Sequence, residues 1–106
     1  MAGAFTEAVC RLIAAIPPGS VATYGDIAAA AGSPQGARQV ARTLHTQTKQ
    51  RNLPWHRVIA SGGRIAIKDP MGAALQKELL TAEGIGFNDD GCVDYHNYAW
   101  DFSVLH

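Results

Sequence analysis

The chain has 106 residues, 47% of them hydrophobic, with two cysteines and a formal net charge of zero. That length and composition fit one globular domain; no apolar run approaches the roughly 20 residues of a membrane span, and the start of the chain lacks the basic region, apolar run and small-residue cleavage site of a signal peptide. Neutrality argues against a polyanionic partner only until position is considered, because Ile27 to Lys68 holds seven basic residues and no acidic one, while the flanks hold Arg11 and Lys77 against all nine acids. A localised basic segment of this kind is the electrostatic footprint of nucleic-acid binding; an unevenly charged solvated surface is the plainer alternative.

Phe5, Val9, Leu12, Ile13 and Ile16 recur at helical spacing, and Pro17-Pro18-Gly19 ends that first helix. Thr23, with Asp26 three residues later, reads as a capping box with a shortened acid that opens a second helix from Tyr24 to about Ala31. Gly32-Ser33-Pro34 reads as a tight turn, Ser33 capping and Pro34 beginning a third helix that runs to about Thr46. Two short helices across a glycine-containing turn are a helix-turn-helix signature. On the third helix Ala37, Val40, Ala41 and Leu44 form an expected buried stripe, with Arg38, Arg42 and His45 opposite. The small Gly36 and Ala37 would let the helix start approach DNA with Arg38 projecting; two solvated arginines on a surface helix are the other reading.

A polar loop is expected from Gln47 to Asn52, then a Pro54-Trp55-His56 turn, then a hairpin or wing of Arg57 to Ala60 and Arg64 to Ile67 across Ser61-Gly62-Gly63. Asp69 to Gly72 reads as a loop and Ala73 to Glu83 as a last helix with Leu75, Leu79 and Ala82 inward and Gly84 as its cap. In the acidic tail from Asn88 to His106, the alternating Tyr98, Trp100 and Phe102 are expected to pack back on the domain. The sequence thus predicts a single domain over 1–106, with a core over about 5–84 and a tail over 88–106. It is mainly α with a small β-hairpin. Cys10 and Cys92 have no metal-ligand spacing, so neither a metal nor a cofactor is implied.

Four runs occur in order: Pro18 to Ala28, Ala37-Arg38-Gln39-Val40, Pro54-Trp55-His56-Arg57-Val58-Ile59, and Lys77-Glu78-Leu79-Leu80 with Glu83. Together they resemble the DNA-binding half of the O6-alkylguanine-DNA alkyltransferases over roughly Phe5 to Gly84, which implies a winged helix-turn-helix domain. Those proteins carry a Pro-Cys-His-Arg-Val signature whose cysteine accepts the alkyl group. Here the cysteine position holds Trp55. An indole has one weak N–H donor and no anionic form that attacks carbon, so the transfer reaction is expected to be absent. A flat aromatic can still stack on a base, for about 1 to 3 kcal/mol, and a core-packing tryptophan is the plainer alternative. The chain in this respect resembles the alkyltransferase-like proteins, which bind alkylated guanine without repairing it and are linked to nucleotide excision repair.

The resemblance implies a DNA-binding surface of Tyr24, Ser33, Gln35, Arg38, Gln39 and Arg42. Arg38 matches the finger that fills the stack after a base is extruded, and Tyr24 the tyrosine that crowds the adjacent phosphate. A lesion pocket is implied at Tyr24, Pro54, Trp55, Val58 and Lys68, with Lys68 either over the flipped base or solvated in its loop. His56 and Glu83 match groups that serve the acceptor cysteine, and without it they are expected to persist as structural hydrogen-bonding groups. Two departures stand out: Gln47 replaces the family's hinge asparagine, and Ala66 to Gly72 is unlike the usual base-contacting loop.

The function expected is non-enzymatic recognition of O6-alkylguanine in duplex DNA, by minor-groove contact and base flipping near Trp55, that flags the lesion for nucleotide excision repair proteins. A monomer without membrane association is expected, cytoplasmic and nucleoid-associated, or nuclear in a eukaryote. A helix-turn-helix regulator that reads undamaged sequence is the alternative. A cryptic alkyltransferase using Cys10 or Cys92 is a third class, disfavoured by the expected separation of both from the Trp55 turn.

Overall fold

A computed structural model describes residues 3–105. Helix α1 spans Ala4–Ala15 and buries Val9, Cys10, Leu12 and Ile13. It stops where Pro17 drives Ile16 to extended backbone (ψ 118°). A two-residue strand, β1 (Ala22–Thr23), leads directly into α2 (Tyr24–Ala30), whose N-cap is Thr23: its hydroxyl accepts the Asp26 N–H at 3.0 Å. Helix α3 spans Ala37–Arg51, and α1, α2 and α3 pack against one another. A 3-10 turn at Trp55–Arg57 precedes β2 (Val58–Ile59); α4 (Pro70–Ala82) packs against that turn, and α5 (Tyr95–Tyr98) lies within the tail. Among the described residues no helix is long and apolar enough to cross a membrane.

The mainly helical, winged helix-turn-helix class read from the sequence is the one adopted, and several details differ from expectation. Ser33 and Pro34 do not start α3; the Gly36 N–H donates to Ser33 O at 2.8 Å, closing a separate turn, and the helix begins at Ala37. Gly36 is small because Phe5 is near: an added Cβ would lie 3.0 Å from the Phe5 ring and 3.1 Å from Ser33 O. Packing alone therefore requires its small size. The expected loop from Gln47 is helix as far as Arg51, held by Arg51 Nε on Gln47 Oε1 (3.0 Å) and by a two-pronged pairing of the Arg51 guanidinium with Glu7 of α1 (2.7 and 3.0 Å). Asn52 then ends it in the left-handed conformation, φ 53°.

The expected hairpin pairing is replaced. Strand β2 pairs in parallel with β1, Ala22 opposite Val58 and Thr23 opposite Ile59, while Arg64 to Ile67 forms no strand and keeps one turn bond, Ala60 N–H to Arg64 O at 2.8 Å. A parallel pair needs a long crossover, and α2 and α3 supply it. Alternation along the strands splits the interior in two: Ala22 and Val58 belong to a core with α1, α2 and α3, whereas Val21 and Ile59 join Leu80, Ile85 and Val93 in a second.

Asp69 and Pro70 are the cap and first residue of α4, not a loop; the Asp69 carboxylate accepts the Gly72 N–H at 3.1 Å. The inward face of α4 is also rotated from expectation. Gln76 (1% exposed) and Leu80 (0%) are buried, whereas Leu75 is 47% exposed and Ala82 is exposed. The rotation follows from Gln76, whose Nε2 donates to His56 O (3.0 Å) and Val58 O (2.9 Å).

The tail packs back as expected, Trp100 and Phe102 on the first core, Tyr95 and Tyr98 on the second. Its backbone runs along the end of β1, with Val21 N–H on Tyr98 O (2.8 Å) and Trp100 N–H on Val21 O (2.9 Å). Farther back, the Val93 N–H donates to Gly63 O at 2.8 Å. Gly63 has φ 83°, and a Cβ there would collide with the Val93 carbonyl. Gly63→Ala is accordingly expected to cost about 2 to 4 kcal/mol in chemical denaturation, strain and collision adding. A loss under half a kcal/mol would mean that the Gly62-Gly63 turn does not hold the tail.

Candidate DNA interface and base cavity

Helix α3 divides by face. Val40, Thr43 and Leu44 are buried, Thr43 taking the inward place expected of Ala41. Ala41 is exposed and lines a cavity of about 400 Å³. His45 and Thr48 line it too, with the Thr48 hydroxyl bonded back to Leu44 O. Ala41, His45 and Thr48 follow at i, i+4 and i+7, one stripe of the helix surface, and Arg38 stands three residues before Ala41 at the head of that stripe. Arg38, Gln39 and Arg42 are exposed on α3, Gln35 is exposed in the preceding turn, and Ser33 is half-buried there.

The rest of the lining comes from other elements. Tyr24, first residue of α2, is half-buried against the first core and lines the cavity; burial raises its phenol, which keeps its proton at neutral pH. Trp55 also does both, packing on the first core and forming cavity wall. Its ring meets His56 edge to face, centroids 6.1 Å apart at 82°. Buried Val58 and Gln76 and half-buried Ile67 complete the lining. Of the five pocket residues expected from sequence, Tyr24, Trp55 and Val58 line the cavity, whereas Pro54 is half-buried outside its lining and Lys68 is exposed, one residue beyond Ile67.

Behind the Trp55 turn stands a charge cluster of which the sequence showed only part. His56 Nε2 lies 2.7 Å from Glu83 Oε2, as the paired roles implied. Arg57 was missed: its Nε and Nη2 donate to Glu83 at 2.7 to 3.2 Å and its Nη1 to Ile16 O at 2.8 Å. The Gly19 N–H adds a fourth donor at 3.3 Å. Arg57 first, then His56 and Gly19, hold the Glu83 carboxyl well below its ordinary 4.5, at about 2, against the opposing effect of burial. The cluster joins the Pro18-Gly19 turn, the Trp55 turn and the end of α4. A carboxylate so committed is a clamp, not a proton acceptor.

Neither cysteine is among the cavity-lining residues. Cys10 is 3% exposed at the edge of a smaller cleft between α1 and Arg51, Cys92 sits in the tail, and burial pushes both thiols up, lowering the thiolate fraction that could attack carbon.

The family model described as 6-O-methylguanine DNA methyltransferase, DNA binding domain, matches residues 4–85. The chain belongs to that family. Within it this is an alkyltransferase-like domain, non-catalytic, with Trp55 at the position of the acceptor cysteine. It is 41% identical over 98 residues to the DNA base-flipping protein of Escherichia coli K12, covering 92% of this chain and 75% of that one. Alkyltransferase-like protein 1 of Schizosaccharomyces pombe is 37% identical over 99 residues, covering 89% and 88%. The structure of S. pombe Atl1 in complex with damaged DNA containing O6-carboxymethylguanine superimposes with a TM-score of 0.78 at 35% identity, over 92% of this alkyltransferase-like domain and 94% of that chain.

Proposed function

We propose that the chain recognises O6-alkylguanine in duplex DNA, turns the damaged base into the cavity between α3 and Trp55, and marks the site for nucleotide excision repair without chemistry of its own. The observation that carries this reading is the single α3 stripe on which Arg38 precedes Ala41 and His45, which line the cavity together with Tyr24 and Trp55. An exposed cation one helical turn before the cavity-lining Ala41 can fill the gap that an extruded base leaves, and extrusion costs only a few kcal/mol. The resemblance to Atl1, seen with damaged DNA, supports the same reading. Paired duplexes that differ only in guanine or O6-methylguanine test it by titration: tighter binding of the alkylated duplex is expected, and equal affinity would place the chain among sequence-reading regulators.

Binding should also fall with salt. Of the seven cations between Ile27 and Lys68, Arg51 and Arg57 are engaged by Glu7 and Glu83, which leaves Arg38, Arg42, Lys49, Arg64 and Lys68 exposed without an ion pair among the described residues. If about four of these neutralise phosphates, log affinity against log salt should slope at about −3.6. A flat response would mean that these cations do not meet DNA.

A further inference from the structure

We propose that Tyr95 is a positioning residue for the cavity: bonded to Asp26, it fixes the first turn of α2 and so holds the Tyr24 ring at the cavity wall. Tyr95 opens α5, beyond the residues 4–85 that the family model matches. Its ring packs on the second core and its hydroxyl donates to the Asp26 carboxylate. Asp26 in turn gives its backbone N–H to the Thr23 hydroxyl. Tyr24 stands between the two, so the residues on both sides of it are held: Thr23 as cap and strand partner of Ile59, Asp26 by the tail.

The need for such a clamp follows from the length of α2. Seven residues make fewer than two turns, and a helix that short depends on its ends and its packing rather than on its own hydrogen bonds. Thr23 supplies one end contact. The bond from Tyr95 supplies a second, strengthened by the charge on its acceptor. Burial first and the Asp26 carboxylate second push the Tyr95 phenol up to about 12, so it remains a donor throughout the physiological range. The tail is placed for the task by its two backbone bonds to Val21, two residues before Thr23.

The role in binding rests on the damage-recognition reading above; the role in placing Tyr24 does not. Tyr95→Phe keeps the ring and removes the donor. Its expected effects are altered Tyr24 ring-proton NMR signals in the DNA-free protein, a thermal midpoint close to wild type, and a fall of roughly three- to tenfold in the preference for O6-methylguanine over guanine duplexes. Asp26→Ala should reproduce the loss, and Tyr95→Phe in that background should add nothing. Unchanged Tyr24 signals, or losses that add, would overturn the positioning role. A wild-type protein with no lesion preference would instead overturn the functional reading, while the NMR comparison would still decide the position of Tyr24.

Discussion

Glu83→Ala is expected to destabilise the domain by about 2 to 3 kcal/mol, less than the cost of breaking a fully buried ion pair because the site is partly open. Glu83 and Arg57 expose only 16% and 14% of their side chains, so the substitution leaves the guanidinium with Ile16 O alone and frees His56 and the Gly19 N–H as well. Urea denaturation measures it, and a loss below about 1 kcal/mol would show that the cluster is screened like a surface pair. Glu7→Ala is the control. Its pairing with Arg51 is exposed, and little change is expected. Acid probes the part of that stabilisation that depends on the carboxylate charge. Because the folded Glu83 carboxyl sits at about 2 against an ordinary 4.5, its contribution is complete above pH 4.5 and is lost as pH falls toward 2. The shift alone corresponds to about 3 kcal/mol, and solvent screening at this partly open site reduces it to about 2. Wild type should therefore lose stability through that window more steeply than Glu83→Ala, which lacks the titrating group.

The second large effect is on discrimination. Trp55→Ala is expected to reduce the preference for O6-methylguanine over guanine duplexes by about 1 to 3 kcal/mol, the worth of one stacked base, while affinity for undamaged DNA hardly changes. Since Trp55 also packs on the first core, the comparison requires a folded variant, and Trp55→Phe, which retains an aromatic face, should recover part of the preference. Arg38→Ala should behave differently, weakening all duplexes and reducing extrusion reported by a fluorescent base analogue. A folded Trp55→Ala protein with intact discrimination would leave Trp55 with its packing role alone.

Helices α1 and α2 were legible because local signals decide them: apolar spacing, the Pro17-Pro18 stop and the Thr23 cap. The start of α3 was not, because Ser33-Pro34 carries the same residues as a cap and first turn while its carbonyl is taken by Gly36. Strand β1 was invisible for another reason. Two residues show no periodicity, and their partner, Val58–Ile59, lies beyond two helices. The face of α4 was misread because a polar Gln76 is buried by carbonyls belonging to a different segment. The site divides similarly: Tyr24, Trp55 and Val58 were marked by motif, whereas Ala41, His45, Thr48 and Gln76 reach the cavity by tertiary placement. Arg57 could have been found. It follows His56 within the motif and is the nearest cation in sequence to the pair that Glu83 completes.

The central place of β1 also bears on how the chain acquires its structure. The three N-terminal helices make contacts among nearby residues and can assemble early, but Val21 joins Ala99 from the far side of the sequence, and the second core waits for Val93. During synthesis the helix-turn-helix would thus emerge first, with Val21, Ile59 and Leu80 uncovered until residues 93–100 have been made. That interval is when the nascent chain would be most exposed to aggregation and to chaperones.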